Sequence, residues 1–321
     1  MALSHPNVHG ALTARLVEAG AFAGDPLTVV AVGCAYGIET QWRQFPLRVR
    51  AIDPMLGEIE RLRSLEGDPC IEYVSGFVRQ PGHPSTEERE TGGDYTSFAR
   101  SSAFKVASAT SYNAWQDTRL SSRSVTLDEL VCDLGGVDFL KTDTDGGDLE
   151  VLHSGACTLR GVLGVSVEAP IASSTHPLSN SRSNIDRLLR THGLSMFDEE
   201  THRYSRAALP DRFAYALPGT TRRGQVIWSQ CLYLRDLAHD GAEWPDGAFR
   251  KLACLFETYH LNDCAIELIQ SRPAAFEPYV CVTEALDVLT REWWPEYETY
   301  AALIAAFDAD PTKFYPVPAS G

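Results

Sequence analysis

The sequence predicts an α/β protein, a doubly wound and mainly parallel sheet of the Rossmann-like kind, and three stretches carry that prediction. The run LTVVAVGCAYG, Leu27–Gly37, passes from β-branched apolar residues straight into a glycine-bearing turn. RVRAIDP closes a second apolar run at Asp53. VDFLKTDTDGGDLEVLHSGA, Val137–Ala156, is strand-like up to Leu140 and resumes at helical spacing with Leu149, Val151 and Leu152 after Asp143, Asp145, Gly146, Gly147 and Asp148. Strand, turn and helix recurring in this way describe successive βαβ units with right-handed crossovers. In such a sheet, ligands sit beyond the carboxyl ends of the strands, so the three aspartates stand where chemistry is expected.

The remaining elements follow in chain order. Leu12, Leu16, Val17 and Ala21 share one face of a leading helix over Ala11–Ala21. IEYVSGFV, Ile71–Val78, reads as a third strand. Residues 79–124 lose periodicity in Ser, Thr, Gly and Pro, which makes them a lid-like insertion, with Arg100, Phe104, Tyr112 and Trp115 interspersed. VTLDEL, Val125–Leu130, starts a helix with Thr126 and Glu129 at capping-box spacing. LGVSVEAP is a strand ending at Glu168, Asn184–His192 a helix stopped by Gly193, and LSMFDEE a further strand. GQVIWSQCLYLRD is expected to add to the sheet edge. From Asp246 the pattern is helical throughout, so the expected domains are 1–240 and a helical appendage at 241–321.

Composition narrows the function classes. A formal charge of −15 argues against partners that need a concentrated basic surface, namely nucleic acid and anionic membranes. The eight cysteines are scattered singly, with no CxxC pair, and are expected to be reduced and mostly buried. Met1–Gly10 carries two histidines, a proline and an asparagine where a leader would be apolar, and no run reaches membrane-spanning length. A soluble, cytoplasmic protein acting on a small molecule or glycan is expected, with homodimerisation as an open possibility. Asp143, Asp145 and Asp148 are oxygen ligands of the type magnesium and calcium prefer, but the stretch fails as an EF-hand: Gly146 comes too early and Ser154 stands where the bidentate acid belongs. No metal is expected.

The glycine turn separates cofactor classes. Gly33 and Gly37 lack the third glycine of a dinucleotide fingerprint, which counts against NAD. Asp53 stands at the end of the second strand, where a carboxylate can accept both hydroxyls of a ribose. A nucleoside without phosphate, held by a glycine turn and a strand-end acid, describes S-adenosyl-L-methionine. The pieces VVAVGCAYG, AIDP, VTLDEL, FLKTDTDGGDLEVLHSGA and VSVEAP, in this order, resemble the FkbM family of S-adenosylmethionine-dependent methyltransferases. The resemblance covers Leu27 to Asp236 and is most specific between Val125 and Ala156. The chain departs from the family in three places: Ala31 replaces an acid, Asp145-Gly146-Gly147-Asp148 replaces Glu-Gly-Ala-Glu, and IDP replaces a FEP-like tripeptide.

The resemblance implies O-methyl transfer to a hydroxyl of a sugar, glycan or polyketide-type natural product. Gly33, Ala35, Gly37, Asp53, Pro54, Gly76 and Asp143 are the candidate cofactor-binding residues. Asp143, Glu168 and His176 are the candidates at the transfer centre, where a carboxylate or imidazole takes the proton of the attacking hydroxyl. Asp145 and Asp148 have a second reading as caps of the following helix. Lys141 is read as supporting a carboxylate, and Tyr36, Trp42 and Trp115 as possible walls of the site. Two alternatives stay open: a nucleoside-binding or scaffolding protein on the same fold without turnover, and a NAD-dependent oxidoreductase.

Overall fold

The computed structural model describes residues 10–80, 119–171, 176–204, 221–239 and 243–314. The expected insertion therefore lies almost wholly outside the described residues, with Arg100, Phe104, Tyr112 and Trp115. Contacts divide the described residues into two compact units: those within 28–39 and 47–235 form one, and those within 10–27, 40–46 and 236–314 the other.

The first unit is built on a seven-stranded sheet. Its strands are β1 (Leu27–Val32), β2 (Leu47–Asp53), β3 (Ile71–Ser75), β6 (Phe139–Thr142), β7 (Gly164–Pro170), β8 (Leu194–Tyr204) and β9 (Gln225–Arg235). Their spatial order is β3-β2-β1-β6-β7-β9-β8. β2 pairs with β3, β1 with β6 and β6 with β7 in parallel, and β9 runs antiparallel to both β7 and β8. Chain order reverses between β1 and β6, which is the topological switch point where a doubly wound sheet binds its ligand. The doubly wound, mainly parallel fold is thus present, with one adjustment: β9 lies inside the sheet and β8 forms the edge. Antiparallel pairing with β8 over ten residue pairs covers β9 on that side, and its core-facing Ile227, Ser229, Cys231 and Tyr233 are all buried.

Two further expectations change. The strand expected over Ile71–Val78 breaks at Gly76: β3 stops at Ser75, and β4 (Phe77–Val78) pairs with β5 (Ser124–Val125) in a separate ribbon. Gly76 donates its amide to the Asp53 carbonyl at 3.0 Å, so the chain turns off the sheet there. The cysteines are free, but Cys70, Cys132, Cys157 and Cys281 are exposed, because they sit in turns or at helix ends.

Helices α2 (Leu56–Leu65), α3 (Leu127–Leu130), α4 (Asp148–His153), α5 (Thr158–Gly161) and α6 (Arg182–Thr191) complete this unit. Val30, Leu140, Val165, Val167 and Tyr233 on one sheet face pack with Leu149, Val151, Leu152, Ile185 and Leu189 in one apolar cluster. The VTLDEL stretch closes its edge. Thr126 and Glu129 exchange the reciprocal bonds of a capping box at 3.1 and 2.8 Å. Asp128 accepts the amides of Cys157 and Thr158 and the Thr158 hydroxyl, at 3.0, 2.8 and 2.7 Å, which seats α5. Leu127, fully buried, lies against Gly155, where a Cβ would collide with its side chain.

The second unit is helical: α1 (Ala11–Glu18), α7 (Asp246–Thr258), α8 (Asn262–Ser271), α9 (Val282–Trp293) and α10 (Tyr300–Ala309). Leu12, Leu16, Leu252, Leu255, Ala265, Leu268, Ile269, Phe276 and Leu289 form its core. The start of α1 is closed by two acids from the other helices. Glu257 accepts the Leu12 and Thr13 amides at 2.7 and 2.8 Å, and Glu292 the Ala11 amide at 2.9 Å. Burial, then the neighbouring Glu292, push Glu257 up to about 7. Among the described residues no helix is long and apolar enough to cross a membrane.

Replacing Gly155 by alanine is expected to destabilise the first unit by about 1–3 kcal/mol, since Leu127 has no space to retreat into. Urea denaturation should show a lower midpoint with an unchanged slope.

Candidate functional site

The glycine turn after β1 is tied to the end of β2. Gly33 adopts φ +80°, and a Cβ there would run into the carbonyl oxygen of Asp143 at the end of β6. Only glycine allows β1 and β6 to end so close together. Its amide donates to the Ile52 carbonyl at 2.9 Å. Gly37, at φ +89°, closes the turn by donating to the Cys34 carbonyl at 2.9 Å. Ala35 donates its amide to one oxygen of Asp53 at 3.2 Å, and Met55 donates to the other at 2.9 Å. Asp53 is 3 % exposed, and burial raises its pKa despite these two bonds. It therefore clamps the turn, with one lone pair left on each oxygen. Burial and Asp53 raise the pKa of the Cys34 thiol, which keeps it from acting as a nucleophile.

Beside this clamp lies a cavity of about 360 Å³ lined by Ala35, Tyr36, Met55, Gly57, Glu58 and Arg119. Glu58, in the first turn of α2, accepts the Tyr36 amide at 3.0 Å and both Arg61 donors at 2.8 and 2.7 Å. The Arg61 bonds, more than any other contact, hold its carboxyl below the ordinary range. Pro54 and Gly76 are not among the lining residues. The Pro54 carbonyl accepts the Ser121 amide at 2.8 Å, and Gly76 bonds to the Asp53 backbone, so both join β2 to the small ribbon.

A second polar group gathers at the ends of β6 and β7. The register Lys141 to Ser166 and Thr142 to Val167 puts Lys141 on the Ser166 face, the face that strand alternation gives to Glu168. Lys141 Nζ lies 2.8 Å from Glu39 and 3.6 Å from Asp143, and these acids outweigh burial and raise its pKa. Glu168 is pushed well above the glutamate range by burial, then by the charges of Asp143 and Asp148 and a hydrogen bond with Asp143. Gln230, opposite Glu168 on β9, donates to Ser166 Oγ at 2.8 Å.

The helix entrance differs from the capping expectation. Gly147 is the N-cap of α4 and has no side chain to cap with; Thr144 Oγ1 accepts the Gly147 amide at 3.0 Å instead. Asp148 turns back from the first helical position and accepts the Thr144 amide at 3.2 Å and Asn180 Nδ2 at 3.4 Å. It is fully buried, and burial followed by the Asp143 charge pushes it up to about 7. Asp145 takes φ +52°, a conformation aspartate tolerates, and is exposed as a residue. The protein around its carboxyl, then Asp143 and Asp53, raise its pKa. His176 is exposed on the turn leading into α6, and its Nδ1 accepts the Leu178 amide at 3.2 Å. Glu39, Glu58, Asn180 and Gln230 belong to no motif, so nothing in the sequence marks them. Among the described residues no three of His, Cys, Asp and Glu form a metal-holding group.

Residues 79–192 match the model of the methyltransferase FkbM domain. Over those residues the chain is similar to an FkbM methyltransferase domain. No curated protein matches the chain. Solved structures similar to it include the N-terminal domain of EvdMO1 in the presence of SAH and D-fucose, at 11% identity over 72% of this chain and 84% of that one, with a TM-score of 0.32. A TehB-like SAM-dependent methyltransferase from Corynebacterium glutamicum is 12% identical over 70% and 87%, TM-score 0.30. The 1,6-didemethyltoxoflavin-N1-methyltransferase of Burkholderia thailandensis is 12% identical over 70% and 79%, TM-score 0.30. At such low scores the fold is read from the strand order itself. The FkbM match spans VTLDEL and the acidic strand end, the two segments that Leu127, Asp128 and Ser154 lock together.

Asp148 binds its proton more tightly folded than unfolded. Its stabilising contribution is therefore complete below the ordinary aspartate pKa of 3.8 and lost as pH rises through about 7. Asp148→Asn should remove that slope, roughly 2–4 kcal/mol between the two limits, in unfolding free energies measured from pH 4 to 8.

Proposed function

We propose that the chain transfers a methyl group from S-adenosylmethionine to a hydroxyl of a sugar, a glycan or a polyketide-type natural product. The observation that carries this reading is the cavity at the switch-point end of the sheet, between the glycine turn and α2, with the Asp143–Glu168 pair at the ends of the next two strands. Its volume is in the range of small-ligand sites. Ala35, Tyr36 and Met55 offer apolar walls for a nucleoside and Glu58 a carboxylate for ribose hydroxyls, while Asp53, behind the lining, holds the turn through the Ala35 and Met55 amides. When bound, S-adenosylmethionine supplies an already activated methyl group.

The chain's own part is then to orient the acceptor and take its proton. The Asp143–Glu168 pair is the first candidate for that proton, with Lys141 as a fixed positive charge 3.6 Å from Asp143. His176 is the second. Next to Glu168 on the sheet, the ring of Trp228 stacks on His202 at 3.6 Å, and Tyr204 accepts a hydrogen bond from the indole. Half-buried indole beside hydrogen-bonding groups suits the apolar and hydroxylated faces of a sugar ring. The acidic balance of the chain supports a neutral acceptor over a polyanion.

Calorimetry with S-adenosylhomocysteine tests the cofactor, and consumption of S-adenosylmethionine over a panel of glycosides and polyketide alcohols tests the acceptor. Glu168→Gln is expected to lower turnover by about 10²–10⁴ while leaving S-adenosylhomocysteine affinity unchanged. Wild-type turnover should rise with pH as Glu168, raised by burial, ionises. Full activity in Glu168→Gln would move proton acceptance to another group.

A further inference from the structure

Among the described residues, three that are not glycine have positive φ: Asp145, His260 and Tyr36. Aspartate and histidine are enriched in that region because their short polar side chains bond locally, whereas a bulky side chain there is an outlier. Tyr36, at φ +75°, is therefore strained. It is also 93% exposed, so the ring gains almost nothing from burial. Other exposed apolar residues, such as Leu65 at 70% and Leu120 at 51%, keep ordinary backbone.

The turn holds Tyr36 in place from both sides. Ala35 is bonded to Asp53, the Tyr36 amide to Glu58, and the Gly37 amide to Cys34. Glu58 is fixed in turn by Arg61 at 2.7 and 2.8 Å. The ring is thus presented at the cavity rim by backbone bonds rather than by packing. The other large apolar side chain of the cavity is Met55, and Gly57 contributes no side chain at all. Persistent backbone strain is a mark of functional positions, where a ligand repays it.

We infer that Tyr36 is the stacking wall for the planar base of a bound nucleoside, and so a residue that sets which nucleoside the cavity accepts. The inference rests on reading this cavity as the S-adenosylmethionine site. A flat aromatic base laid on the phenol ring buries an apolar face that the unliganded protein leaves in water, and stacking of this kind is tolerant of small offsets. Met55 contributes a polarisable thioether to the same cavity.

The test uses the full chain, with thermal unfolding in the absence of ligand and calorimetry with S-adenosylhomocysteine and with adenosine. Tyr36→Gly should raise the unliganded Tm, because glycine carries no strain at this φ, and should weaken both ligands by about fivefold or more. Tyr36→Asn, which suits the left-handed region but has no ring, should weaken them equally. Tyr36→Phe should keep wild-type affinity. Equal binding by wild type, Tyr36→Gly and Tyr36→Asn overturns the role of Tyr36 and leaves the cofactor reading standing. A wild type that binds neither ligand overturns both.

Discussion

The close approach of Gly33 to the Asp143 carbonyl is the contact on which the rest of the site depends. β1 and β6 are neighbours in parallel, and the chain leaves them in opposite directions, so their ends form the crevice of the sheet. With a side chain at position 33 the two strand ends would have to separate, and three arrangements would shift together. The glycine turn would lose its bond to Ile52, Asp53 its grip on Ala35, and Asp143 its position beside Lys141 and Glu168. One missing Cβ therefore couples the glycine turn beside the cavity to the acidic ends of β6 and β7.

The segments that match the FkbM domain model divide between structure and chemistry. VTLDEL does not line the cavity beside the glycine turn; its threonine and glutamate close a helix start, its aspartate seats α5, and its first leucine fills the space over Gly155. That interlock holds α4 and the acidic strand end in place. Asp148 belongs to the same scaffold, buried and bonded to Thr144 and Asn180. Asp143 and Glu168 are different, because Asp143 lies 3.6 Å from Lys141 and the charge of Asp143 helps to raise the Glu168 pKa.

Much of the fold was legible in the sequence, and for a definable reason. The β-branched run before Gly33, the strand end at Asp53 and the period change after Asp143 are local patterns, and each depends on residues close in the chain. The capping box at Thr126 was readable for the same reason. The break at Gly76 was not, because strand-forming residues stand on both sides of it, Ile71, Tyr73 and Val74 before and Phe77 and Val78 after, and only pairing with Ser124–Val125 takes the second part off the sheet. The interior place of β9 was equally hidden, since edge and interior strands differ in what lies beside them.

The site shows the same division. By itself the sequence determined the class of fold, the order of its strand ends, and that acids occupy the ends of β2, β6 and β7. Tertiary structure decided what each acid does. Asp53 became a clamp because Ala35 and Met55 amides reach it, Asp148 a buried structural group because Asn180 arrives from another segment, and Glu168 a carboxyl of raised pKa because it is buried near Asp143 and Asp148. Glu39 beside Lys141 and Glu58 beneath Tyr36 came from no motif. A carboxyl's chemistry is set by its burial and its neighbours' charges, and those are properties of packing rather than of chain order.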